Sequence, residues 1–147
     1  MKKSIRIALI LAGLAGMVLS SLSLQNHYSK SADSFCSIDA TFNCDVVNHS
    51  IYSEIPITED HAVPVALIGL LGYLLLLGLS WLAQQKWAAR TLLVFAVGGL
   101  GFALRLTYIE AHILDTWCLL CLGSLLTITT ITVLAALGLR QTGLSPR

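Results

Sequence analysis

Long apolar runs most constrain the fold of this chain. Residues 63–83 are almost all apolar, and this run is long enough to cross a lipid bilayer as a helix. Comparable runs occupy residues 7–24, 88–109 and 117–139. Of the 147 residues, 56% are hydrophobic and only 12% are charged, a composition typical of membrane proteins. The sequence predicts an all-α membrane protein, a bundle of four transmembrane helices in a single domain over residues 1–147.

The first apolar run has two interpretations. It follows a short basic segment, and its core of residues 7–19 has the length of a signal-peptide core. Small residues at positions 21 and 23 would suit a cleavage site. However, the run continues to residue 24, which brings it close to the length that a bilayer requires. We expect a retained transmembrane helix, with a cleaved signal peptide as the alternative.

A polar segment, residues 25–62, separates the first two runs and carries Cys36 and Cys44. Loops of this length are uncommon in compact domains and are usually functional. Asp39 and Asn43 both lie between the two cysteines and favour turns. After Cys44, apolar residues recur every four positions up to Ile55, which predicts a short amphipathic helix. We expect this helix to lie on the membrane surface, with a helix in a soluble loop as the alternative.

The basic residues predict which face of the membrane each turn occupies. They lie before the first run, near the turn between the second and third, and after the fourth: Lys2, Lys3, Arg6, Lys86, Arg90, Arg140 and Arg147. Such positions are typically cytoplasmic. The long loop and the turn at residues 110–116 then face the opposite side, together with all four cysteines. For a bacterial inner membrane this side is the periplasm, where disulfides persist.

The fourth apolar run opens with a C-x-x-C pair, Cys118 and Cys121. We expect Asp115 or Thr116 to cap this helix, which would place Cys118 in the first turn, where the helix dipole favours a thiolate. Residues three apart share a helix face, so a modest adjustment would join the two sulfurs reversibly. The pair is therefore a candidate redox centre.

Three functions are compatible with the four cysteines. They could form two redox-active pairs that exchange disulfides, bind one structural zinc ion, or form two permanent disulfides in a protein without catalytic activity. The seven residues between Cys36 and Cys44 exceed the spacing of typical zinc ligands. A net charge of +1 gives no basic surplus for binding nucleic acid.

Four segments carry a family resemblance: residues 35–39 (FCSID), 42–50 (FNCDVVNHS), 64–69 (PVALIG) and 117–121 (WCLLC). In this order, a loop cysteine pair and a serine precede a C-x-x-C that opens the last helix. The chain thereby resembles the vitamin K epoxide reductase family in its bacterial form, over nearly its whole length. The order of the cysteine pairs is the reverse of that in the unrelated periplasmic disulfide oxidase family.

The resemblance implies a quinone-dependent thiol oxidoreductase that supports disulfide bond formation. Cys121 would face a membrane quinone, such as ubiquinone or menaquinone, and Cys118 would be its exchange partner. Cys44 would bond transiently to Cys118, and Cys36 would receive electrons from a thioredoxin-like protein. The chain ends shortly after the fourth run, so we expect this periplasmic partner to be a separate protein rather than a fused domain.

Other positions concern the quinone pocket. Ser50 matches a Ser or Thr of the family near the active site, so we expect it to line this pocket. Leu125 stands where animal members have a tyrosine that helps to hold the quinone, and we expect Leu125 to occupy the same place. His61 could supply a proton near the site. Arg105, the charge placed within the third run, either reaches the membrane interface or faces the bundle interior.

Overall fold

The computed structural model describes residues 1–29, 36–58 and 61–144, with the backbone alone at 57, 58, 61 and 142–144. Its helices in chain order are α1 (Lys3–Tyr28), α2 (Cys44–Asn48), α3 (Val65–Leu82), α4 (Lys86–Ile109) and α5 (Leu119–Leu144). A single π-helical turn, Glu110–Leu114, extends α4. Within the described residues, four helices are long and apolar enough to span a membrane. The predicted four-helix transmembrane bundle is confirmed.

The four long helices form a ring in which α1 packs against α3 and α5, and α4 packs against the same two helices. The core contains a fully buried leucine or isoleucine from three of them: Leu9, Leu92 and Ile131. Large apolar side chains on the outer faces, such as those of Leu11 and Val94, are exposed. This arrangement is expected where lipid rather than water surrounds the bundle.

Helix α1 is an integral part of the bundle. Its Leu9 side chain belongs to the main core cluster, which also includes Leu92 of α4 and Ile131 of α5. At Gly16, a side chain would overlap the ring of Tyr73 on α3, so the close approach of these two helices depends on glycine. The packing is that of a transmembrane helix.

The two ends of the bundle differ in composition. At one end, the backbone N–H of Lys2 donates to Oε1 of Gln141 (3.1 Å), and the short turn between α3 and α4 lies at this same end of the up-and-down arrangement. Apart from Arg105, the lysine and arginine side chains that the structure describes lie towards this end of the bundle. The other end carries the cysteine loop and the turn from α4 to α5. This end is called the cysteine end below.

The predicted short helix is present and begins at Cys44, but it ends before the apolar pattern does. Helix α2 ends at Asn48, a 3₁₀ turn follows at Ile51–Ser53, and Ile55 lies in a strand. Two physical causes account for this. The Ser50 side chain hydrogen-bonds the Val47 carbonyl (2.8 Å), which competes with the helical pattern. In addition, Pro56 disfavours helical geometry at Ile55.

A β-hairpin that the sequence analysis missed connects this turn to α3. Strand β1 (Glu54–Thr58) pairs antiparallel with β2 (His61–Pro64), with Ile55 opposite Val63. Helix α3 consequently begins at Val65, and Pro64 is its N-cap residue. The polar residues 59 and 60 between two short apolar segments were the available signal for a hairpin.

Candidate active site

A pair of backbone hydrogen bonds holds the cysteine loop against the turn before α5. The N–H of Asn43 donates to the Trp117 carbonyl (3.1 Å), and the N–H of Trp117 donates to the Thr41 carbonyl (2.8 Å). Asn43 and Trp117 each immediately precede a cysteine. The two bonds therefore set Cys44 of the loop beside Cys118 of the C-x-x-C pair.

Two side chains shape the loop around Cys44. Oδ1 of Asp39 accepts the N–H groups of Thr41 and Phe42 (both 2.8 Å), which stabilises a tight reversal of the chain. Oδ1 of Asn43 accepts the N–H groups of Asp45 and Val46 and so caps α2. The turn and the cap bring Cys36 and Cys44 together, with their Cα atoms 5.7 Å apart.

Three cysteine sulfurs cluster at this end of the bundle. Cys36 and Cys44 form a disulfide, whereas Cys118 and Cys121 are free thiols. The Sγ atoms of Cys36, Cys44 and Cys118 all lie within 4.8 Å of one another, and all three residues are buried. In the structure, a small local movement would suffice for Cys118 to reach the disulfide.

Cys118 itself is the N-cap of α5, which corrects the predicted cap at Asp115 or Thr116. Its carbonyl accepts the first helical N–H, that of Leu122 (2.9 Å), and its Sγ accepts the N–H of Cys121 (3.4 Å). Asp115 instead adopts a left-handed conformation (φ 52°) that ends the π turn. A π turn takes up more residues than an α-helical turn, and α5 begins at Leu119 rather than at residue 117, where the apolar run begins.

The Cys118 sulfur is electrostatically prepared to ionise. The hydrogen bond from the Cys121 side chain lowers the pKa of the Cys118 thiol, and the Cys121 backbone N–H acts in the same direction. Burial and the nearby Glu110 carboxyl oppose this effect without cancelling it. A low thiol pKa favours the thiolate that attacks a disulfide and also makes the sulfur a better leaving group, so Cys118 is suited to exchange with the loop disulfide in either direction.

Replacing Cys121 with alanine removes the main cause of this low pKa. We expect the first thiolate of the wild-type protein to appear at lower pH than the Cys118 thiolate of Cys121→Ala, because the wild-type thiolate accepts a hydrogen bond. Ultraviolet thiolate absorbance against pH, with the loop disulfide intact, measures both. Cys121→Ser, which keeps a donor, is the matched control and should fall between them. Thiolate formation at the same or lower pH in Cys121→Ala would contradict this assignment.

A cavity of about 360 Å³ opens beside the C-x-x-C pair. Its walls come from the five α-helices, the segment that follows α2 and the π turn after α4. All four cysteines lie in the described part of the chain, and of these Cys121 lines the cavity. Cys118 therefore faces the loop disulfide, while Cys121 faces the cavity.

The predicted pocket residues are only partly brought together. Ser50 lines the cavity, although its hydroxyl donates to the Val47 carbonyl (2.8 Å). Leu125 does not line it, because the preceding residue, Ser124, points to the cavity and Leu125 is turned away around the helix. The hydroxyl of Tyr73 bonds the Ser124 side chain (2.8 Å) across the bundle. Ser124 therefore lines the cavity at this point of α5, and a contact between Leu125 and the quinone stays a prediction.

Two buried polar residues of the cavity wall were not predicted as site residues. Asn48 accepts a hydrogen bond from Ser23 (3.0 Å), but its Nδ2 has no partner among the described residues. In Glu110, Oε2 accepts the Cys118 N–H (3.1 Å), while Oε1 has no partner within the described chain. Both side chains are at least nine-tenths buried. Their polar atoms are available to a molecule in the cavity.

Two other predicted positions have different outcomes. The Arg105 side chain is exposed on the outer face of α4, so it does not face the bundle interior. The His61 side chain lies outside the described atoms, and its role stays a prediction. By contrast, His27 at the end of α1 bonds the Asn48 carbonyl through Nδ1 (2.6 Å) and Glu54 through Nε2 (3.1 Å). His27 thereby ties the loop to α1 next to the cavity.

A sequence model of the vitamin K epoxide reductase family matches residues 7–136, which include all four long helices in large part and all four cysteines. The chain belongs to the vitamin K epoxide reductase family. No individual curated protein matches it in sequence. Membership in this family, together with the four spans, makes the protein a multi-pass membrane thiol oxidoreductase.

The geometry also bears on the two alternative interpretations of the cysteines. A zinc site with four thiolate ligands would require all four sulfurs to surround one point. Here Cys36 and Cys44 are joined to each other, and Cys121 is outside the close group of sulfurs. A purely structural role would join Cys118 to Cys121, whereas both are free thiols. This arrangement favours redox-active pairs over both alternatives.

Proposed function

We propose that the protein is a quinone-dependent oxidoreductase that reoxidises a separate thioredoxin-like protein and so supports disulfide bond formation. One observation carries this proposal: the sulfurs form a continuous series from the loop to the cavity. The Cys36–Cys44 disulfide adjoins Cys118, and Cys121 adjoins the cavity. Electrons that enter at the loop thus have a short covalent route to a molecule bound beside Cys121.

The route consists of two disulfide exchanges. The partner's dithiol reduces the Cys36–Cys44 disulfide, and the Cys44 thiolate then attacks Cys118 in a Cys118–Cys121 disulfide. Attack by Cys36 on Cys44 restores the loop disulfide and leaves Cys118 and Cys121 as thiols. Each exchange breaks one S–S bond, forms another and moves two electrons. A loop disulfide beside two free thiols is the state expected after these steps.

The cavity residues fit a quinone headgroup. The space of about 360 Å³ is lined mainly by apolar side chains, and Gly72 of α3 and Gly98 of α4 leave room for a flat ring. Asn48 and Glu110 each present a polar atom that has no partner among the described residues, and the ring oxygens of a quinone would accept a hydrogen bond from the Asn48 amide. When bound, the quinone supplies a two-electron, two-proton acceptor next to Cys121.

The charge distribution supports a periplasmic or extracellular location for the cysteine end of a bacterial inner-membrane protein. Lys2, Lys3 and Arg6 lie at the start of α1, and Lys86 and Arg90 lie at the start of α4, all at the end opposite the cysteines. Basic residues favour the cytoplasmic face. The partner would then be an extracytoplasmic protein. Since Cys36 is buried, docking of the partner must displace part of the loop.

The loop cysteines provide the test of this function. Cys36→Ser and Cys44→Ser should lose quinone reduction driven by a purified thioredoxin-like dithiol protein, because the entry point of the electrons is removed. A small membrane-permeant dithiol, which can reduce the C-x-x-C pair directly, should still support turnover. Quinone absorbance under anaerobic conditions follows both reactions, with the wild-type protein as reference.

The comparison of the two reductants decides between relay and structure. Equal loss with both reductants would indicate that the loop disulfide only maintains the fold. Undiminished turnover with the protein dithiol would show that electrons enter elsewhere. Failure of the wild-type protein to reduce any quinone with either reductant would overturn the proposed function itself.

A further inference from the structure

We propose that Glu110 is the proton acceptor for the Cys121 thiol and passes this proton to the molecule bound in the cavity. The proposal rests on the proposed function, since it assigns a catalytic role at the same site. Packing alone does not explain the position of Glu110 inside the bundle, because burying a carboxyl group without a full set of partners costs free energy. Its relative exposure is only 2%.

The position of Glu110 connects the two reacting groups. Its side chain interacts with the side chain of Cys121, and the same carboxyl lies in the cavity wall. Oε2 is engaged by the Cys118 N–H (3.1 Å), so the carboxyl is held in place. Oε1 has no hydrogen-bond partner among the described atoms. One oxygen is thus fixed by the redox turn and the other is available for a proton.

The local backbone explains how Glu110 reaches this position. Glu110 begins the π-helical turn after α4, and its carbonyl accepts the N–H of Thr116 (3.2 Å). Single π turns shift the side chains that follow relative to an α-helix and are frequent at functional sites. Within the described residues, Glu110 takes part in no ion pair. The carboxyl is therefore not held as half of a salt bridge.

The reaction balances with one proton carried by Glu110. A bond forms between the sulfurs of Cys118 and Cys121, the S–H bond of Cys121 breaks, and the bound quinone takes up two electrons. Its two oxygens receive two protons, one from Cys121 through Glu110 and one from the aqueous phase. The latter replaces the proton that Cys118 released on forming its thiolate. A positioned acid–base group of this kind typically contributes about 10²–10⁴-fold to the rate.

The experiment compares Glu110→Gln with Asp115→Asn. The glutamine keeps an acceptor for the Cys118 N–H but cannot exchange a proton, so quinone reduction by the prereduced protein should fall about 10²-fold or more. Asp115→Asn removes an exposed carboxyl of the same turn, and asparagine tolerates the left-handed conformation there, so its rate should remain that of the wild type. Glu110→Asp should recover part of the loss.

A second readout needs no quinone. Infrared difference spectra between the dithiol and disulfide forms of Cys118 and Cys121 should contain a carboxyl band that disappears in Glu110→Gln and persists in Asp115→Asn. A carboxyl with a structural role alone would only shift its band between the two forms, whereas a carboxyl that takes up a proton gains the band of its protonated form. Wild-type rates in Glu110→Gln, or no carboxyl band in the wild type, would overturn the assignment. If wild-type protein shows the band but reduces no quinone, the proposed function fails while Glu110 remains the proton acceptor of the thiol pair.

Discussion

Replacing Cys121 with alanine abolishes quinone reduction by any dithiol, with an expected loss of at least about 10⁴-fold, the range found when a catalytic nucleophile is removed. The physical reason is access. Cys121 borders the cavity, whereas Cys118 is fully buried and faces the Cys36–Cys44 disulfide. Anaerobic quinone absorbance measures the loss, with both a protein dithiol and a small dithiol as electron donors.

The same variant should also accumulate a specific intermediate. Without Cys121, the Cys118 thiolate can still attack the loop disulfide, whose sulfurs lie within 4.8 Å, and only the released Cys36 thiolate can then resolve the product. Alkylation of the released Cys36 should therefore trap a Cys44–Cys118 disulfide that mass spectrometry detects. Cys118→Ala is the matched control, because it also loses turnover yet cannot form this bond. Normal quinone-coupled turnover in Cys121→Ala would refute the role assigned to Cys121.

The order of the four long helices was predictable because it follows from local properties. A bilayer requires long apolar helices, so the run at residues 63–83 and its three counterparts are visible from composition alone. The cysteine spacings were visible in the same way. Asp39 and Asn43 act within a few residues of their own positions, and their turn and cap are seen in the structure.

Features that depend on tertiary contacts were not predictable to the same degree. Ile51 continues the apolar spacing of Val47, yet it is 83% exposed while Val47 is buried, because the chain leaves the helix between them. The sequence placed Glu110 in the turn at residues 110–116 and gave no sign of its burial. The π turn and the packing of α5 place its carboxyl beside Cys121. Asn48 likewise became a cavity residue through the contact of the loop with α1.

Filling the cavity should separate quinone binding from thiol exchange. Gly98 of α4 lines the cavity, and a Cβ added there would meet no atom within 4 Å. The side chain of Gly98→Leu would therefore extend into space that a quinone ring needs, without first colliding with the bundle. We expect quinone affinity to fall about tenfold or more, which corresponds to about 1.4 kcal/mol. The quinone concentration dependence of turnover measures this change.

Gly101→Leu is the matched control for the cavity, because it makes the same substitution on the same helix at an exposed position with equally open surroundings. Its leucine would meet lipid, which accepts apolar side chains, so its quinone dependence should equal that of the wild type. In both variants the dithiol partner should still reduce the Cys36–Cys44 disulfide, since these sulfurs are not part of the cavity wall. Equal loss of quinone affinity in the two variants would trace the effect to the helix rather than to the cavity. Unchanged affinity in Gly98→Leu would place the quinone elsewhere, and the assignment of Cys121 as the quinone-facing sulfur would have to be abandoned with it.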